Sequence, residues 1–163
     1  MQNDREIGFM VDKNEMLKLS NNVSFPLYAC ARATSKYYRR FMDEMGLTYT
    51  QYLTMLALWE EKETNLKTLG ERLYLDSGTL TPVLKCLEEM GYIRRDRQKD
   101  DERNLVLSVT PEGEALKDTV YEVSKKMAEK QPLSREKNKQ LYALFAEALE
   151  SYERMFAELE EEK

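Results

Sequence analysis

Leu69-Gly-Glu-Arg-Leu-Tyr-Leu-Asp-Ser-Gly-Thr-Leu-Thr-Pro-Val-Leu-Lys-Cys-Leu-Glu-Glu-Met-Gly-Tyr-Ile-Arg-Arg95 decides the fold. Leu66, Leu69 and Leu73 share one face of a short helix. Leu80, Val83, Leu84 and Leu87 recur at the i, i+3, i+4, i+7 spacing of a second, core-facing stripe. Between the two lie Asp76 and Ser77, both good caps, so the second helix starts there or else at Thr81 with Pro82 as its first residue. The earlier start leaves Pro82 in the second turn, at the cost of a backbone bond. Gly78, Pro82, Lys85 and Glu89 fall opposite the stripe, with Thr79, Thr81 and Cys86 on its flanks. The pattern is a helix, a turn and a second helix.

After Gly91 the period changes from 3.6 to two. Residues 92–97 and 105–109 alternate as strands, and the polar run 98–104 joins them as a hairpin tip. The expected fold class is therefore mainly α with a small β-hairpin, a winged helix-turn-helix. Upstream, Tyr28, Ala31, Ser35, Tyr38, Met42 and Met45 mark one long helix closed by Gly46 as a C-cap glycine. A further helix over about 50–61 is expected to bury Leu53, Leu56, Ala57 and Trp59. Downstream, Thr110 caps a helix whose first residue is Pro111 and whose seam is Leu116, Val120, Val123 and Met127. Residues 131–134 break it, and Leu141, Phe145, Leu149, Tyr152, Phe156 and Leu159 form the seam of a last helix.

These elements divide the chain into a polar arm (1–18) and one domain (19–163), with the winged helix at 47–110 and flanking helices at 19–46 and 111–163. The flanking helices carry more apolar stripe than one small winged helix buries. A symmetric homodimer through the N- and C-terminal helices absorbs the surplus; an intramolecular bundle is the alternative.

Composition narrows the function. No apolar run approaches the ~20 residues of a membrane span, and the N-terminus lacks a signal peptide's layout. Cys30 and Cys86 form no Cys-x-x-Cys pair, which fits a reducing, cytoplasmic location and no membrane partner. The chain has no histidine, so Ser-His-Asp and Cys-His nucleophile systems are excluded within it and most zinc sites lack ligands. No glycine loop for phosphate is present. Neither an enzyme nor a cofactor or metal is expected.

The net charge of −5 is unevenly placed: residues 147–163 hold seven acidic side chains against two basic ones, while Arg94, Arg95, Arg97, Lys99 and Arg103 cluster at the hairpin. That distribution suits double-stranded DNA as the partner. A recognition helix enters the major groove by its N-terminal end, where short side chains allow close approach to base edges. Ser77, Thr79 and Thr81 supply hydroxyls there, and Lys85 reaches a phosphate or base edge one turn on. For Ser77, helix capping is the competing role. Arg103 at the tip suits a narrow minor groove, with Asp101 holding its guanidinium, and Arg95 and Arg97 are natural phosphate contacts.

Residues 19–116 resemble the MarR family of bacterial transcriptional regulators, in its organic-hydroperoxide-sensing OhrR branch. The strongest parts are Leu47-Thr-Tyr-Thr-Gln-Tyr52, the run from Leu69 to Pro82, and Asp101-Glu-Arg103. The resemblance implies a homodimeric repressor on a pseudo-palindromic operator, with a wing arginine at Arg103 and an interface from the first and last helices. It also implies a sensor cysteine in a pattern like Leu-x-Asn-x-Leu-Cys-Phe. Here that run reads Leu19-Ser-Asn-Asn-Val-Ser-Phe25, so Ser24 holds the sensor position and cannot enter the sulfenic-acid ladder. The two tyrosines that hydrogen-bond the sensor thiol have counterparts in Tyr38 and Tyr49. Ser24 also suits an N-cap, with Pro26 in the first turn.

Cys30 lies about 120° around the helix from Ser24 and reads first as a small apolar residue. The expected signal is therefore a small apolar or phenolic ligand near Ser24, Tyr38 and Tyr49. The alternatives are a relocated thiol switch at Cys30 or Cys86, and a helical interaction protein without DNA binding.

Overall fold

The computed structural model describes residues 12–97 and 105–161. Within the arm, Asp12 caps a single turn, α1 (Lys13–Met16), and a 3-10 turn follows at Leu19–Asn21. The first long helix, α2 (Ser24–Met45), begins earlier than the Tyr28 stripe suggests. Ser24 is its first residue rather than its cap: Val23 holds the N-cap position without a side-chain bond, and the Asn22 side-chain oxygen accepts from the Phe25 amide at 3.0 Å. Pro26 thus occupies the third helical position, where its missing N–H has no intrahelical partner to lose. Gly46 ends the helix at φ 66°, as expected, with the Leu47 amide reaching back to the Met42 carbonyl.

A capping box opens α3 (Tyr49–Glu61): Thr48 accepts from the Gln51 amide, and the Gln51 side chain accepts from the Thr48 amide. Its buried face is Gln51, Thr54, Met55, Ala57 and Leu58. Leu53, Leu56 and Trp59 are only half-buried, against expectation for the two leucines. The helix is apolar on nearly every side, so its periodicity does not select a face. A three-residue strand, β1 (Glu63–Asn65), comes next, and Asn65 caps α4 (Leu66–Leu73).

The helix-turn-helix follows. Tyr74 takes the left-handed conformation (φ 55°) that closes α4, and the Leu75 amide bonds the Gly70 carbonyl at 2.9 Å. Gly70 is required there, because a Cβ would stand 2.8 Å from the Leu75 carbonyl oxygen. Asp76 caps α5 (Ser77–Glu89), which settles the start of this helix and leaves Pro82 inside it.

A wing of β2 (Ile93–Arg97) and β3 (Leu105–Val109) pairs antiparallel with Ile93 opposite Val109 and Arg97 opposite Leu105. β1 adds to the free edge of β3, so the sheet has three strands in the order β1-β3-β2. The hairpin tip, with Asp101 and Arg103, lies outside the described residues.

Two compact units result: one extending to Val123, the other Ser124–Lys163, with the boundary inside α6 (Pro111–Glu129). In the first unit Met55, Leu58, Leu69, Leu80, Leu84, Leu87, Ile93 and Leu107 form the fully buried centre. Each such side chain stabilises the fold by about 1.5–3 kcal/mol relative to exposure. The start of α6 is locked onto this centre. Thr110 donates to the Gly91 carbonyl at 2.6 Å and accepts from the Gly113 amide at 3.0 Å. The Trp59 indole N–H donates to the Gly113 carbonyl at 3.1 Å. In the second unit α7 (Arg135–Glu161) has no buried residue, and Leu141, Phe145, Leu149, Tyr152, Phe156 and Leu159 are all exposed.

Candidate nucleic-acid interface

Helix α5 has two contrasting faces. Leu80, Leu84 and Leu87 are fully buried, whereas Ser77, Gly78, Thr79, Thr81, Pro82 and Lys85 are exposed. The N-terminal turn is built by Asp76, whose carboxylate accepts from the Thr79 amide at 2.8 Å and the Thr79 hydroxyl at 2.9 Å. Those bonds, the backbone one first, hold the Asp76 carboxyl below its usual range. The Thr81 hydroxyl donates to the Ser77 carbonyl at 2.6 Å. Both threonines have committed their protons, so they present lone pairs outward as acceptors. Lys85 is free of any tight ion pair, since Glu89 stands 3.8 Å away and the lysine side chain is 67% exposed.

The wing basic residues divide by strand face. Ile93 is buried, so Arg95 shares its side of the strand while Arg94 and Asp96 face the other. Arg95 is engaged within the chain: its Nε donates to Glu88 Oε2 at 2.7 Å, and its side chain is 25% exposed. Its place on the side of the buried Ile93 brings it to Glu88. Arg94, absent from the expected set, is exposed. The strand alternation anchored on Ile93 carried that signal. Asp101 and Arg103 lie outside the described residues, and Arg97 is described in its backbone alone.

The expected sensor residues separate into two groups. Tyr38 and Tyr49 meet with ring centroids 4.8 Å apart, Tyr52 stacks on Tyr49 at 6.2 Å, and Tyr37 meets Tyr38 edge-on at 5.6 Å. Burial, aided by neighbouring tyrosines, raises the phenol pKa values of Tyr38 and Tyr49 above the usual tyrosine range. Ser24 is not in this cluster. It shares α2 with Tyr38, and the fourteen helical steps from one to the other span about 21 Å. Cys30 is exposed, two turns from Tyr38, and Cys86 is half-buried on α5. One chain therefore supplies the aromatic half of the expected pocket without its hydroxyl.

Among the described residues no group of three or more His, Cys, Asp or Glu could hold a metal, and no helix is long and apolar enough to cross a membrane.

A recognition helix followed by a two-stranded wing, with a third strand on the wing's edge, defines a winged-helix transcriptional regulator. Residues 36–120 match the family of SarA/Rot transcriptional regulators. The chain is 44% identical over 114 residues to the organic hydroperoxide resistance transcriptional regulator of Bacillus subtilis strain 168, covering 70% of this chain and 78% of that protein. Among solved structures, reduced AbfR of Staphylococcus epidermidis bound to DNA superposes with a TM-score of 0.77 at 32% identity, covering 89% of this chain and 99% of that one. NadR in complex with 4-hydroxyphenylacetate superposes at 0.63 with 26% identity, over 78% and 92% of the two chains. The chain belongs to the MarR family of winged-helix regulators, in its organic-hydroperoxide-regulator branch.

Proposed function

We propose that this protein is a cytoplasmic, non-enzymatic repressor that binds a pseudo-palindromic operator as a homodimer and is released by a small ligand. The observation that carries the reading is α5: three leucines seal one face while Ser77, Thr79, Thr81 and Lys85 stand exposed at its reading end. Committed threonine protons favour a partner with exposed amino donors, such as adenine N6 or cytosine N4. Arg94, Arg97 and Arg103 supply backbone charge or minor-groove insertion from the wing. Residues 47–110 serve as the reader and the helices at 19–46 and 111–163 as the dimer frame, supported by the exposed apolar seam of α7. Selection of bound fragments from genomic DNA, followed by binding assays on the recovered duplex, tests the reading. Recovery of a pseudo-palindrome supports it.

The ligand reading rests on the tyrosine cluster. Half-buried, protonated phenols beside one another suit a small apolar or phenolic guest. Because about 21 Å of helix separates Ser24 from Tyr38 within one chain, the complete pocket takes Ser24 from one protomer and the tyrosines from its partner. With a hydroxyl at position 24, organic hydroperoxide leaves operator binding unchanged, and Ser24→Cys introduces sensitivity. Reversible peroxide release of the wild type, abolished by Cys30→Ser or Cys86→Ser, would instead establish a relocated thiol switch.

A further inference from the structure

One acidic residue is out of place on a DNA reader. Glu88 lies near the end of α5, where a carboxylate opposes the approach of phosphate. Its oxygen Oε2 takes both the Nε of Arg95 at 2.7 Å and the Nη2 at 2.6 Å. The pair is half sheltered, with side chains 36% and 25% exposed. Arg95 stands in the middle of β2 opposite Leu107, which is buried, so its backbone is fixed by the sheet. Glu88 is fixed by α5 beside the fully buried Leu87. Between them the chain turns at Gly91, left-handed at φ 80°, with nothing within 4 Å of where a Cβ would be. Backbone bonds from the Gly91 and Tyr92 amides to the Glu88 and Leu87 carbonyls tie the turn itself, and the ion pair adds a side-chain link across it.

We infer that the Glu88–Arg95 pair is a positioning device that fixes the wing relative to the recognition helix, so that both reach one stretch of duplex in register. The inference rests on the DNA-binding reading above. Neither residue touches DNA in this account. Arg95 acts through the set of the strand, and Glu88 is tolerated because Arg95 neutralises it. The charge bookkeeping gives the inference a distinctive sign. Removing an acidic charge near a DNA face should tighten binding if only Coulomb attraction matters. Loss of a positioning contact should weaken it.

The test measures fluorescence anisotropy of a selected operator duplex over a salt series, using the full chain and the variants Glu88→Gln, Arg95→Gln and the exchange Glu88→Arg with Arg95→Glu. Circular dichroism establishes that each is folded. Both single variants should weaken operator binding about fivefold or more, with the salt slope unchanged, because no phosphate contact is lost. The exchanged pair should recover most of the affinity even if a single variant is poorly folded. Equal or tighter binding by Glu88→Gln would overturn the inference, as would a slope lowered by about one in Arg95→Gln, the mark of a phosphate contact. Wild-type protein that binds no duplex would instead overturn the reading on which the inference rests.

Discussion

Helices α5 and α7 carry apolar residues at the same helical spacing but meet different fates. Three leucines of α5 are fully buried inside its own chain, whereas the longer α7 buries none of its residues. Similar periodicity therefore marks two different destinations. In the reader the stripe is consumed by α3, α4 and the wing. In α7 it stays exposed along Phe145, Leu149, Tyr152 and Phe156, the surface that the proposed homodimer would cover. A core stripe tolerates little change of shape; an interface stripe should leave the reader folded when it is broken.

The largest effect should come from breaking the exposed stripe. Phe145→Glu with Phe156→Glu places charge on the seam, and sedimentation should find the 19.2 kDa chain as a monomer rather than at twice that mass. Operator affinity should fall by about a hundredfold or more as the second half-site is lost, with the reader still folded by circular dichroism. A doubly substituted dimer would remove α7 from the interface.

Beside the wing, two glycines sharpen the contrast. A Cβ at Gly113 would lie 2.1 Å from the Tyr92 carbonyl oxygen, whereas at Gly91 it would meet nothing and only the positive φ is strained. Gly113→Ala should cost on the order of 3 kcal/mol in chemical denaturation, and Gly91→Ala about 1 kcal/mol. Equal costs would mean that the α6 start is not locked onto the wing as described.

Reading-face substitutions should spare stability and change binding. Lys85→Ala and Arg103→Ala should each weaken operator binding about tenfold while the melting temperature stays fixed. A drop in melting temperature for Lys85→Ala would be unexpected for a side chain 67% exposed.

The smallest effect is acid-dependent. Thr79 holds the Asp76 carboxyl below its usual range, so the cap contributes stability that is present above the ordinary carboxylate pKa and lost as pH falls through the lowered one. Asp76→Asn should melt close to wild type near neutrality and lose less of its melting temperature on acidification. Identical acid sensitivity would remove Asp76 from the account.

Much of the reader is legible in the chain because its signals are local. The α5 stripe, the Thr110-Pro111 start of α6 and the Gly46 helix end each depend on a few neighbouring residues, and the structure places them so. The rest needs tertiary information. The face of α3 was ambiguous because Leu53, Leu56, Met55 and Leu58 surround the helix, and only packing chooses Met55 and Leu58. β1 is three polar residues whose pairing partner lies more than forty positions away, so no period announces it. Arg95 reads as surface charge until the burial of Ile93 turns its side of the strand toward Glu88. Ser24 and Tyr38 align with a sensor pattern, yet helix length alone keeps them apart within one chain.

The central claim is that the exposed end of α5 reads duplex DNA. Its most direct test titrates the full-length protein against genome-selected duplex and against a scrambled duplex, across a salt series, for wild type and for Lys85→Ala with Arg103→Ala. The account predicts tight, steeply salt-dependent wild-type binding that prefers the selected sequence, and loss of most of that preference in the double variant. Wild-type affinity equal for both duplexes, or a double variant that binds the operator normally, would contradict it.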